Sequence, residues 1–226
     1  MNVLVFAAHP DDEIIGVGGT IAKHVKQGDD VHVVILAEGK SSRAKEYKEL
    51  DLEVKNLSYK ETEGACTTLG VKSFARLDFP DNRLDTLPLL DVVKEIENHI
   101  KKINPTIIYT QYGGDINIDH TVVYRAVMTA TRPLPDTNIK WVFAYETLSS
   151  TEWNYNEKDK FLPNYFVNIE DHLEEKLSAM RHYESELREF PHPRSIEAMR
   201  HNAFVWGAKS GYQAAEAFML VRGHGR

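Results

Sequence analysis

Two short stretches concentrate the residues able to hold a metal ion. One is His9-Pro10-Asp11-Asp12-Glu13, and the other is Asp115-Ile116-Asn117-Ile118-Asp119-His120. His9 and Asp12 are three residues apart on a turn that contains Pro10, a spacing that can aim both side chains at one point. His120 would complete a set of two imidazoles and one carboxylate. Such a set leaves a fourth position open for water, as in a catalytic zinc ion rather than a structural one. Zinc lowers the pKa of bound water toward about 7, and iron(II) suits the same ligands. A local reading competes with this one. Asp11 and Asp12 would cap a helix and complement its dipole, His9 would end a strand, and His120 would be a solvated helix residue. A lone histidine is weak evidence for a site. Here each histidine has a carboxylate beside it and each stretch follows an expected strand, which favours the metal site.

Composition narrows the classes of chemistry. The chain has 226 residues with ten His and a single Cys, 27 Lys+Arg against 34 Asp+Glu, and a formal charge of −7. One cysteine, Cys66, excludes a disulfide framework and multi-cysteine metal sites; it reads as a small buried apolar residue. The acidic balance argues against a nucleic-acid partner, which would want a basic face. No long uncharged apolar run is present, so no membrane span is expected. The start, MNVLVFAAHPDDE, lacks the basic region of a signal peptide. A cytoplasmic protein, with homo-oligomers open, is the expectation.

The elements that must position these residues alternate. Asn2–Ala8, Val31–Ala37, Ser73–Leu77 and Thr106–Thr110 read as strands, the first, second and fourth of them apolar runs of the kind buried on both faces. Helices are expected over 12–27, 41–69, 87–103 and 119–131. Leu89, Val93, Ile96, Ile100 and Ile103 form one apolar stripe before Pro105. Later come a strand over 141–148, a short one over 166–169, helices over 171–188 and 195–208, and a strand over 217–221 that would close or edge the sheet. The pattern implies right-handed βαβ units. The expected fold is a Rossmann-like three-layer α/β/α domain covering 1–226, with a mostly parallel sheet and an irregular C-terminal region. Ligands then belong outside the carboxyl ends of the strands. Gly16, Gly18 and Gly19 lack the GxGxxG spacing of a dinucleotide fingerprint and sit beside two aspartates, so close packing is their expected role ahead of substrate contact.

AHPDDE directly after the first strand, with Asn-Ile-Asp-His after a later one, resembles the LmbE/PIG-L family of zinc-dependent N-deacetylases. The blocks Leu77-Asp78-Phe79-Pro80-Asp81-Asn82 and Ala215-Glu216-Ala217-Phe218 extend the likeness over most of the chain. The resemblance implies His9, Asp12 and His120 as zinc ligands and Asp11 as the base acting on zinc-bound water. It also implies removal of an N-acetyl group from an N-acetylglucosamine-type conjugate, with zinc stabilising the oxyanion. Asp119 would orient a ring nitrogen of its neighbour or cap the following helix, or both. Many bacterial members have His-x-Asp-His where this chain has Asn117. An amide can donate to an oxyanion but delivers no proton, so Asp11 would return the proton to the leaving amine, with His192 as the alternative donor. Arg43 and Arg194 could bind an anionic group of the substrate or be solvated. Trp153 and Tyr155 could line a sugar pocket or pack beneath a loop. A metal amidase acting on a non-sugar amide and a sugar-binding relative of low activity are the competing functions.

Overall fold

The computed structural model describes residues 1–41 and 52–225. Seven strands form one sheet: β1 (Asn2–Ala7), β2 (Asp30–Ala37), β3 (Ser73–Phe79), β4 (Ile107–Gln111), β5 (Trp141–Tyr145), β6 (Tyr165–Asn168) and β7 (Ala215–Gly223). Their order is β3-β2-β1-β4-β5-β7-β6. The first five run parallel, while β7 pairs antiparallel with both β5 and β6. The helices are α1 (Asp12–Lys26), α2 (Leu52–Thr68), α3 (Leu89–Ile103), α4 (Ile118–Ala130), α5 (Leu173–Met180) and α6 (Ile196–Ser210).

Alternate strand residues feed two apolar layers. Val3, Val5, Val33 and Ile35 meet α1, α2, α5 and α6 on one face. Leu4, Phe6, Val34 and Ile108 meet α3 and α4 on the other. The fold is therefore the expected three-layer α/β/α arrangement with a mostly parallel sheet. Tyr145 lies against Gly16 and Ile169 against Gly19, where any side chain on α1 would collide with them, so these glycines serve close packing.

Three expectations about the second half are corrected. The strand over 217–221 neither closes nor edges the sheet: β7 lies inside it and β6 takes the edge. The helix over 171–188 ends at Met180. The chain then turns to bury Tyr183 completely and to carry Ser185 and Glu186 toward Lys40, tertiary demands that override the periodicity of Leu187. The strand over 141–148 stops at Tyr145, and 147–150 become loop. Of the helix expected over 41–69, residues 42–51 lie outside the described residues.

The topology also makes the crevice. β1 and β4 are neighbours, yet β1 leads into α1 on one face and β4 into α4 on the other. Chains diverging from adjacent parallel strands leave a cleft at their carboxyl ends, the usual ligand position of such sheets.

Candidate metal centre

That cleft holds a cavity of about 200 Å³ lined by both sequence clusters, including His9, Asp11, Asp12, Asn117 and His120. His9 Nδ1 and His120 Nε2 are 3.3 Å apart. Asp12 Oδ2 is 3.5 Å from the first and 3.3 Å from the second. A tetrahedral ion with bonds near 2.0–2.1 Å spaces its ligand atoms about 3.3–3.4 Å apart. The triangle matches that spacing and leaves its fourth corner for the cavity.

The groups behind the triangle fit a cation as well. His9 Nε2 lies 3.1 Å from both Asp119 Oδ2 and Asp81 Oδ1. His120 Nδ1 lies 3.1 Å from Asp115 Oδ2. Each ring thus has a carboxylate near its outer nitrogen, a placement that would orient the inner nitrogen toward a metal ion. Asp12 Oδ2 is held by the His9 N–H at 2.8 Å and by Gln111 Nε2 at 2.9 Å. Asp115 in turn accepts from Ser150 and Thr151 hydroxyls.

Charge follows from this crowding. Burial opposes a charged His9, but the carboxylates of Asp119, Asp12 and Asp81 outweigh it and raise the imidazole well above its ordinary value. His120 is likewise penalised by burial and pushed up to about 9 by Asp12 and Asp115. Burial would raise Asp12, but the two imidazoles hold it well below the usual carboxylate range. Asp11, Asp12, Asp81 and Glu186 line this cavity, Asp115 and Asp119 are buried just behind the two imidazoles, and Arg194 at the wall supplies positive charge. A divalent cation held there would compete with protons for the two imidazoles.

Asp11 differs from its neighbour. It occupies the N-cap position of α1, yet its side chain makes no capping bond, so the local reading as an ordinary helix cap fails for it. Its carboxylate instead meets Arg194 Nη1 at 3.3 Å. Burial and the Asp12 charge raise its pKa well above the carboxylate norm, with Arg194 pulling the other way. Its φ of 104° is in the left-handed region. Among the described residues, four that are not glycine have positive φ, and Asp11, Asn82 and Ser149 all line this cavity. Strain concentrated at one cavity marks a functional site.

The remaining sequence candidates sort differently. Asp119 neither faces His120 nor caps α4: it backs His9 and accepts the N–H groups of Asn82 and Leu84 at 2.7 and 2.9 Å. Adjacent helical residues point apart, so Asp115, arriving from the loop, takes the place beside His120. Asn117 is the cap, its Oδ1 accepting the Asp119 N–H at 2.9 Å while Nδ2 donates to Asn82 Oδ1 at 3.1 Å. Arg194 lines the cavity, but its Nη1 is engaged by Asp11 and by Glu186 at 3.1 Å. His192 is not among the cavity-lining residues. Its Nδ1 accepts the Arg194 N–H at 3.1 Å and its ring meets Trp153 edge-on, so it braces the turn. Tyr155 is exposed and does not line the cavity. Arg43 lies outside the described residues. Cys66 is buried, which pushes its thiol up to a pKa outside the physiological range.

Sequence reasoning passed over Gln111, Tyr183 and Glu186, and quoted Glu13, Asp81 and Asp115 without giving them roles. Gln111 had a signal of its own, a polar residue following the apolar strand TIIYT.

Residues 4–131 match the model of the family described as PIG-L, GlcNAc-PI de-N-acetylase. The chain is 31% identical to a diacetylchitobiose deacetylase of Thermococcus kodakarensis, over 98% of this chain and 84% of that one. Its fold resembles that of the N,N'-diacetylchitobiose deacetylase of Pyrococcus horikoshii, with a TM-score of 0.77 and 24% identity over 98% of this chain and 84% of the other. It also resembles a 4-carboxy-2-hydroxymuconate hydratase, GalB of Pseudomonas putida, with a TM-score of 0.73 and 21% identity over 100% and 98% of the two chains. One fold thus serves different chemistries, and activity has to be argued from the site. The match over more than half of its length, together with the near full-length relative, shows that the chain belongs to the PIG-L family.

Proposed function

We propose that the protein is a metal-dependent hydrolase that removes the N-acetyl group from an N-acetylglucosamine-type amino sugar or a conjugate of one. The observation that carries this reading is the open triangle of His9 Nδ1, Asp12 Oδ2 and His120 Nε2 with Asp11 beside it in one cavity. Its membership of a de-N-acetylase family and the names of its relatives, diacetylchitobiose deacetylase and probable N-acetyl-α-D-glucosaminyl L-malate deacetylase, support the substrate class. Those three residues would hold zinc, and iron(II) suits the same donors.

When bound, the ion supplies Lewis acidity and water activation. The chain does the rest. Asp11, with a raised pKa, accepts a proton from the attacking water near neutral pH, where a base of ordinary carboxylate pKa would be weak. Arg194, tied to Glu186, keeps the Asp11 carboxylate at the cavity wall. Asp11 then returns the proton to the leaving amine, a role that fits its place in the cavity, whose lining does not include His192. An asparagine amide carries two N–H donors; Asn117 spends one on Asn82 and offers the other to the substrate carbonyl oxygen. The polar wall formed by Thr147, Ser149 and Ser150 suits sugar hydroxyls.

The test is to incubate the zinc-loaded protein with N-acetylglucosamine, diacetylchitobiose and N-acetylglucosaminyl malate and to assay acetate and primary amine. Release of both, abolished by chelation and by Asp11→Asn, is expected. Equal rates after chelation would overturn the reading.

A further inference from the structure

Glu13 closes the His-Pro-Asp-Asp-Glu stretch, yet it belongs to neither group of residues placed to hold a metal ion. Its side chain is completely buried at the start of α1. Oε2 accepts the backbone N–H of Asp11 at 3.2 Å, and Oε1 accepts the hydroxyl of Tyr183 at 2.6 Å. Tyr183, itself completely buried, comes from the turn that ends α5 early.

This contact falls on the strained residue. Asp11 has φ 104° and ψ −30°, a conformation that costs an aspartate energy and persists only where its surroundings impose it. The glutamate of a capping box reaches back to the N-cap N–H from the third helical position. Glu13 does so from the second, and the N-cap side chain makes no bond in return. The usual reason for an aspartate at an N-cap is therefore missing, while its backbone is gripped from behind.

We propose that Glu13, braced by Tyr183, is a positioning residue that holds the Asp11 backbone left-handed, so that the carboxylate faces the cavity instead of capping α1. This inference rests on the reading of Asp11 as the base.

A merely structural cap would leave the rate per folded molecule unchanged. The experiment compares Glu13→Ala, Glu13→Gln and Tyr183→Phe, each loaded with zinc. It measures kcat and KM on the best N-acetylated substrate, zinc affinity by chelator competition, and the crystal structure of Glu13→Ala. Loss of alignment predicts that Glu13→Ala lowers kcat by about tenfold to a hundredfold. KM and zinc affinity stay within about threefold, below what loss of an aligned catalytic contact costs. Glu13→Gln keeps an oxygen for the Asp11 N–H and retains most of the rate, and Tyr183→Phe falls between. In the crystal structure of Glu13→Ala, Asp11 leaves the left-handed region and its carboxylate turns to the free N–H groups of α1.

Wild-type kcat in Glu13→Ala overturns the inference, as does a parallel fall of kcat and zinc affinity or an unchanged Asp11 backbone. If Glu13→Ala does not fold, Tyr183→Phe decides by the same measurements. Full activity of Asp11→Asn would instead remove Asp11 as the base. The crystallographic comparison would then still decide whether Glu13 sets its conformation.

Discussion

Helix α1 meets buried charge at two places, and the two are built on opposite principles. Midway along it, Lys176 Nζ pairs with Glu216 Oε1 at 2.6 Å and donates to the Ile15 carbonyl at 2.7 Å. Glu216 accepts the N–H groups of Gly19 and Thr20 at 2.9 and 2.7 Å. Both side chains are buried and hydrogen-bonded, and the α1 backbone they meet is helical. At the N-terminal end, five aspartates crowd two imidazoles and one arginine, and the backbone of Asp11 is strained. The first cluster is a direct, hydrogen-bonded ion pair; the second crowds carboxylates around a strained residue, the combination expected where a ligand is bound.

Breaking the two clusters should therefore have different effects. The largest is expected for Asp11→Asn: a loss of about 10²–10⁴ in kcat, the usual worth of a general base, with zinc affinity retained in a chelator competition. Retained kcat would end Asp11's role. Next comes Lys176→Met, which strands a buried carboxylate and should cost about 3–5 kcal/mol in denaturant unfolding. Adding Glu216→Gln should recover part of that loss, because it removes the stranded charge while keeping an acceptor for the Gly19 and Thr20 N–H groups. Zinc affinity should stay unchanged throughout, and a matching loss of zinc would merge the two clusters into one. Third, Asp115→Asn leaves His120 without its outer carboxylate and should weaken zinc about tenfold to a hundredfold.

The smallest effect is also the most diagnostic. His9 and His120 are both raised by their carboxylates, His120 to about 9, so protons compete with a metal ion for these nitrogens. Zinc binding should release protons there, measurable by calorimetry in buffers of different ionisation enthalpy. The sign follows for stability. A folded-state pKa above the unfolded one stabilises the metal-free protein fully below about pH 6.5, and that contribution is lost as pH rises toward about 9. Metal affinity moves the opposite way and rises over the same range. Melting curves of metal-free protein that do not fall across this range would contradict the charge picture.

Much of the candidate site was legible because the residues proposed to hold the metal follow strands whose apolar runs are unmistakable. His9 comes just after NVLVFAA and His120 at the start of the helix that follows TIIYT, so both were expected at carboxyl ends of parallel strands, which the structure makes neighbours. The partners of those ligands were less legible. Asp119 was read beside His120 because the two are adjacent in sequence, whereas helical geometry sends it to His9. Arg194 was read as a substrate ligand, because nothing local reveals that Glu186 and Asp11 converge on it from two other parts of the chain.

Sequence by itself thus determined the family, the parallel half of the sheet, and the residues that could hold and use a metal. These depend on runs of apolar residues and on short-range spacing, both written along a single stretch of chain. Only the tertiary structure decided that β7 inserts before β6, that α5 stops at Met180, and which carboxylate backs which histidine. It alone also showed that Glu13 grips Asp11 from behind. Those outcomes depend on contacts between segments separated by tens to hundreds of residues, such as Tyr183 on Glu13 or Asp119 on His9. Such contacts are set by packing the layers together, and no local pattern encodes them.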